Sequence, residues 1–289
     1  MGFFETFWVW LNGQLAGYIG DNTARLAAAL EPAVVTMATL YVMVWGWLMM
    51  TGRIDEPVSV GIRRIVTLVV VLGVASRLWL YNSVLVDTFY LAPAQLAAAV
   101  VGAGDPVGTI DAIWQHGGAA ADLLFHKGAV FGSDFGFYLA GIMVWVLMGL
   151  LCVYTMFLIA LSSIALAVLL ALGPLFVTLL LFDGTRRLFD AWLMQLTNYA
   201  LVTILTVMLA ALLLHVVDSY AAQTMARGTA ILTVDALDML LVSVLVLLVM
   251  RQVMPIAAAL AGGGSLTTMG TVSRGIHLGV AMARRLMPQ

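Results

Sequence analysis

The chain has 289 residues, 63% hydrophobic and 10% charged, with a formal net charge of -2 and a mean hydropathy of +1.06. An ordinary soluble domain carries about 25% charged residues, so this chain lacks the polar side chains to clothe a water-facing surface and must meet lipid or other membrane helices. No overall basic field exists to attract nucleic acid, and the single cysteine, Cys152, excludes a disulfide framework and a cysteine-rich metal site.

Phe4, Phe7, Trp8, Leu11, Leu15 and Tyr18 recur at spacings of three and four, which predicts a helix over 3–19 lying in a membrane interface. The first basic residue is Arg25, so no cleavable signal peptide is expected. Asp21, Asn22 and Thr23 offer caps for a second short helix ending at Glu31, and Pro32 suits the first turn of a third. Residues 1–32 thus read as an amphipathic periplasmic or interfacial region.

From Ala33 to Gly52 no side chain is charged, and about 20 residues suffice to cross a hydrocarbon core. A loop with Arg53, Arg63 and Arg64 leads to a second apolar stretch, Ile65 to Val86, so that 33–86 reads as a first transmembrane hairpin. Arg77 interrupts it, either snorkelling along Trp79 and Tyr81 or pairing with an acid. Residues 87–134 gather Asp87, Asp105, Asp111, Asp122 and Asp134 among many Gly and Ala, and read as a central periplasmic loop. Its Gly102 to Gly108 segment is a turn-rich break without the spacing of a phosphate cradle, and Asp111 supports the helix that follows.

Phe135 to Phe182 carries no charge and is long enough for two membrane-embedded segments. Ser162-Ser163 is the expected joint and Gly173-Pro174 the expected helix break, with 162–182 either entering the membrane and returning or standing as a sixth apolar segment. A second uncharged run follows from Ala191 to Val217, and a last span runs from about Ile231 to Met250, closing a core region 135–250. The remainder, 251–289, holds Arg251, Arg274, Arg284 and Arg285 and reads as a cytoplasmic basic tail. Five spans with the N-terminus outside place most arginines in the cytoplasm, as the positive-inside bias requires.

The segment 171–199 differs from a generic membrane helix. Thr185 or Asp183 caps a new helix, Arg186 and Asp190 form an i,i+4 pair, and Trp192 sits at interface depth. Arg187, Gln195, Asn198 and Thr206 fall within about a 100° arc, one polar stripe entering the membrane. Two readings stand: the stripe forms interhelical hydrogen bonds within a bundle, or it faces a water-filled lumen or a neighbouring subunit.

The elements G-P-L-F (173–176), L-F-D-G-T-R-R-L-F-D-A-W-L (181–193) and Q-L-T-N-Y (195–199) resemble the central signature of the TrbL/VirB-six family, polytopic inner-membrane proteins of type IV secretion systems. Pro174, Arg186, Arg187, Trp192, Gln195 and Asn198 are the positions that carry it. The resemblance implies an all-α homo-oligomeric channel subunit that helps pass protein or nucleoprotein into the envelope and supports pilus assembly. It also implies partners among the minor pilin stalk, the secretion ATPases and the periplasmic and core proteins. The short chain after Arg251 departs from family members with large C-terminal domains.

Nothing else in the sequence points to chemistry. His116, His126, His215 and His277 are scattered and no H-E-x-x-H occurs. Ser162 and Ser163 sit in apolar sequence without a sequence-local base, and neither catalysis, metal nor cofactor is expected. Asp218, Asp235 and Asp238 flank the last outer loop and read either as solvated loop ends or, in an oligomer, as a negative mouth. Trp45, Trp47, Trp79, Tyr81 and Trp192 read as interfacial belt residues. Two rivals remain: a small-solute secondary transporter, which would place ionisable or unwound sites mid-membrane in inverted repeats, and a scaffold that conducts nothing.

Overall fold

A computed structural model describes residues 2–53, 58–76, 78–101, 107–128, 135–180, 184–227 and 233–263, and all regular structure among them is helical. Arg77, Gly102 to Pro106, Asp183 and the tail arginines Arg274, Arg284 and Arg285 lie outside the described residues.

Helix α1 runs from Phe3 to Met50 without interruption, which replaces the three helices expected there. Asn22 does not cap: its side-chain amide donates to the Tyr18 carbonyl one turn back at 2.9 Å. The Ala27 to Leu30 run favours continuation, and Pro32 is absorbed within the helix.

The start of α1 is held from a distance. Asp111, in the first turn of helix α5 (Gly108–Lys127), is 7% exposed. Its carboxylate accepts from the backbone N–H of Phe4 at 3.3 Å and of Glu5 at 3.0 Å. Orphan amides at a helix start and their positive dipole end suit a carboxylate, and a Cβ on Gly2 would run into it. Asp111 therefore serves another helix besides its own. Asp111→Ala should cost about 0.5–2 kcal/mol of α1 anchoring. Hydrogen exchange should rise at the Phe4 and Glu5 amides and stay level around Trp192; unchanged exchange at both amides would refute the assignment.

Between α1 and α5 the chain forms α2 (Val58–Ser76), the single turn α3 (Leu78–Tyr81), a π-helical stretch Asn82–Leu91 and α4 (Ala92–Val101). Then come α6 (Phe135–Ala171), α7 (Gly173–Leu179), α8 (Arg186–Arg227), α9 (Thr233–Met250), α10 (Val253–Ala258) and a closing π turn, Ala259–Gly263. Cross-helix pairs fix the directions. Ser162 meets Thr203 and Leu169 meets Trp192, so α8 runs antiparallel to α6. Gly262 lies beside Met194, so α9 and α10 run antiparallel to α8. Ile110 meets Cys152 and Gly117 lies beside Met148, so α5 also opposes α6. Phe4 meets Asp111 and Asn12 meets Tyr90, so the chain also reverses after α1, and the described residues make five passes along one axis.

Five helical stretches among the described residues are long and apolar enough to cross a membrane: Phe3–Met50, Trp79–Val100, Phe135–Ala171, Arg186–Leu213 and Leu240–Gly262. The second lies further along the chain than the expected 65–86, and the last extends past Arg251, which stands exposed in the turn between α9 and α10. The described part of 87–134 is helical except at Val107 and Gly128, and α5 is central to the core. Ile110, Ile113, Gly117, Ala121 and Leu124 are buried at spacings of three and four, while Asp122 and His126 occupy the exposed face.

No joint occurs at Ser162-Ser163. Ser162 is buried, its hydroxyl shared with the Ile159 carbonyl and Thr203 Oγ1 at 2.9 Å each, so α6 continues to Ala171. The break falls at Gly173-Pro174, as the sequence indicates. Two apolar clusters result. One joins α5, α6, α8, α9 and α10. The other joins α1, α2, Tyr81, the end of α6, α7 and Trp192, and surrounds the break.

Candidate functional site: a capped helix break

Pro174 has no N–H, so it cannot donate to the carbonyl four residues back, that of Leu170. The last carbonyls of a helix need outside partners, and two distant aromatic side chains supply them. The Tyr81 hydroxyl donates to the Leu170 carbonyl at 2.5 Å. The Trp192 indole Nε1–H donates to the Leu169 carbonyl at 2.9 Å. Both residues are enclosed, at 1% and 3% exposure. An unmet carbonyl in a membrane protein interior costs several kcal/mol, so these two donors allow α6 to stop where it does.

Packing locks the same arrangement. The Trp192 ring stacks on Phe176 of α7 at 5.6 Å and 8° between planes, and lies tilted against Phe189 at 5.6 Å. Pro174 itself is buried. Gly173 lies directly under the Tyr81 hydroxyl, where any Cβ would overlap it. The turn into α8 is closed by the Thr185 hydroxyl donating to the Leu179 carbonyl at 2.7 Å, while the Thr185 carbonyl accepts from Leu188 N–H at 2.9 Å. The G-P-L-F element and the A-W-L element are thus the two halves of one junction, with Tyr81 as its third member.

The belt reading of the aromatics is corrected for two residues. Trp47 and Trp79 are exposed, at 60% and 78%, but Tyr81 and Trp192 point inward and act as hydrogen-bond donors. The expected Arg186–Asp190 ion pair does not form; both side chains are exposed. An exposed i,i+4 pair is worth only about 0.3–0.5 kcal/mol, and holding two long side chains in one geometry offsets it.

The polar stripe on α8 divides. Arg187 and Gln195 are exposed, Asn198 is half-buried with its Oδ1 enclosed and unbonded, and Thr206 is wholly enclosed by its own chain with its Oγ1 unbonded. Thr203, off the stripe, makes the hydrogen bond that joins α8 to α6 through Ser162. Asp218 lies in α8 and Asp235 in the first turn of α9, with Asp238 a turn later and exposed. The His126 ring sits 3.5 Å from the Asp122 carboxylate, both exposed, and among the described residues no three metal-ligating groups converge.

Sequence reasoning missed Tyr81, Ser162 and Thr203 as partners. A signal existed for Tyr81, because a proline after a long uncharged helix announces an orphan carbonyl four residues earlier. Which donor would reach it was not readable from spacing.

An all-α chain of five apolar passes, organised around a buried and doubly capped Gly-Pro break, defines a polytopic membrane protein. The chain belongs to the TrbL/VirB6 family: the model described as TrbL/VirB6 plasmid conjugal transfer protein matches residues 38–253, which include the whole junction. It is 24% identical to the type IV secretion system protein VirB6 of Bartonella quintana, over 94% of this chain and 84% of that one. It is 27% identical to the protein of the same name from Brucella melitensis, over 87% and 74%. To the protein VirB6 of Agrobacterium fabrum it is 29% identical, over 64% and 63%.

Proposed function

We propose that this chain is a multi-pass inner-membrane component of a type IV secretion system that oligomerises and lines part of the path taken by protein or nucleoprotein. The observation that carries this reading is the family match, which covers all three elements of the junction. The five apolar passes support a membrane base of this kind. The N-terminus lies in the periplasm and the basic end in the cytoplasm, a reading supported by the arginines at 53, 186 and 187, which the positive-inside bias assigns to one side. Its partners are further copies of itself, the minor pilin stalk, the secretion ATPases and the periplasmic and core proteins. It serves as a passive element, with energy supplied by the ATPases.

Arg187, Gln195 and Asn198 are the residues we assign to the path or to the contact between subunits, because they share one face of α8 on which Arg187 and Gln195 are exposed and Asn198 is half-buried. Asp238, with Asp218 and Asp235, is assigned to the outer mouth. Photo-crosslinkers placed at 187, 195 and 198 should capture substrate during transfer. Capture of nothing at all three, with transfer intact, would turn the reading to a scaffold that conducts nothing. A cysteine at position 186 should resist a membrane-impermeant periplasmic label in intact cells; labelling would reverse the orientation.

A further inference from the structure

Where α1 passes the end of α6, the two helices leave a cleft of about 430 Å³, within the roughly 300–1,000 Å³ of small-molecule sites. Tyr18, Asn22 and Arg25 of α1 form one side, and Val168, Ala171 and Leu172 form the other. The two sides differ in chemistry. The α6 side offers only aliphatic surface. On the α1 side, the Arg25 guanidinium is exposed and forms no ion pair with any described residue, although Asp21 lies one turn before it. The Tyr18 ring is likewise exposed, and the Asn22 amide is turned back onto the Tyr18 carbonyl.

The depth of the cleft is fixed by its neighbours. Ala171 and Leu172 follow Leu169, whose carbonyl takes the Trp192 indole bond, and α8 opens with Arg186 and Arg187 within two turns of Trp192. Arg25 therefore lies level with the end of α6, a helix long and apolar enough to cross a membrane, on the side of the bundle where α8 opens with Arg186 and Arg187. A cation near the end of a membrane-crossing helix meets lipid headgroups.

We propose that this cleft is a binding site for one anionic phospholipid, its phosphate held by the Arg25 guanidinium and the first part of an acyl chain laid over Val168, Ala171 and Leu172. A guanidinium binds phosphate through paired charge-assisted hydrogen bonds. An inorganic anion would meet a single cation and leave the aliphatic side uncovered. A zwitterionic lipid brings the same phosphate with a cation of its own beside it, so its pull on the guanidinium is weaker. The assignment rests on the cleft between α1 and the end of α6 and is independent of the secretion reading.

The test uses the full chain purified in a non-ionic detergent, with phosphatidylglycerol or phosphatidylcholine added and bound lipid counted by native mass spectrometry. Phosphatidylglycerol should be retained about tenfold more tightly, the equivalent of one charge-assisted contact. Arg25→Gln should erase that preference and Arg25→Lys should keep most of it. Ala29→Trp, on an exposed cleft-lining position, should reduce retention of both lipids with helical content unchanged. Equal retention of the two lipids by the unmodified protein, or an unaltered preference in Arg25→Gln, would overturn the proposal. Displacement of phosphatidylglycerol by millimolar inorganic phosphate would overturn it in favour of a simple anion site.

Discussion

Trp192→Ala should be the most damaging single truncation in the chain, and Trp192→Phe should be mild. The alanine variant removes a side chain that is 3% exposed, its stack on Phe176, its contact with Phe189 and the donor to the Leu169 carbonyl. In soluble cores such a truncation costs about 3–5 kcal/mol through lost transfer energy and the cavity left behind. Inside a bilayer the transfer part shrinks, because lipid tails are as apolar as the core. The cavity part remains, since lost neighbours are not replaced. Phenylalanine keeps the stack and loses the hydrogen bond, worth about 0.6 kcal/mol on average in such surroundings and up to about 1.7. Unfolding in mixed micelles should therefore rank the wild type just above Trp192→Phe and both well above Trp192→Ala. Secretion or transfer should fall in the same order, because α7 and the start of α8, with Arg186 and Arg187, hang on this side chain. Equal stability of the two variants would show that the ring packing carries nothing.

The junction explains which parts of the structure could be read from sequence. The Gly173-Pro174 break was legible because proline removes a donor wherever it stands, a rule that needs no tertiary context. The five passes were legible because uncharged runs report themselves one residue at a time. The second pass was legible only in part, because Arg77 and Asp87 both interrupt the apolar sequence there. Charge content placed it at 65–86, whereas the helical stretch Trp79–Val100 tolerates Asp87 within it. Asp21 to Thr23 suggested a cap and Ser162-Ser163 a joint, yet both sites lie inside continuous helices. Asn22 found its partner in the preceding turn and Ser162 on a facing helix, and local spacing says nothing about which is at hand. Asp111 shows the same limit most clearly. Its first-turn position in α5 was readable, while its grip on Phe4 and Glu5, more than a hundred residues away, exists only once α1 and α5 meet. The family resemblance pointed to Pro174 and Trp192 without saying what joins them; the carbonyls of Leu169 and Leu170 do.

Gly173→Ala should destabilise the protein by about 2–6 kcal/mol, and the loss should depend on Tyr81. The added methyl would overlap the Tyr81 hydroxyl and ring edge, and overpacking of this kind costs about 1–3 kcal/mol. Displacing Tyr81 also strips the Leu170 carbonyl of its donor, and leaving such a group unmet adds about 1–3 kcal/mol. Tyr81→Ala alone should be costly too, since it empties a fully enclosed site and exposes the same carbonyl. The two changes share one cause of loss, so the double variant should be more stable than additivity predicts, by about 0.5–3 kcal/mol. Tyr81→Phe combined with Gly173→Ala should recover less, because the ring edge still meets the new methyl after the hydroxyl has gone. Additive losses across the Gly173–Tyr81 cycle would mean that the two residues do not touch in the membrane-embedded protein, and the pairing of Tyr81 with Leu170 would fall with them.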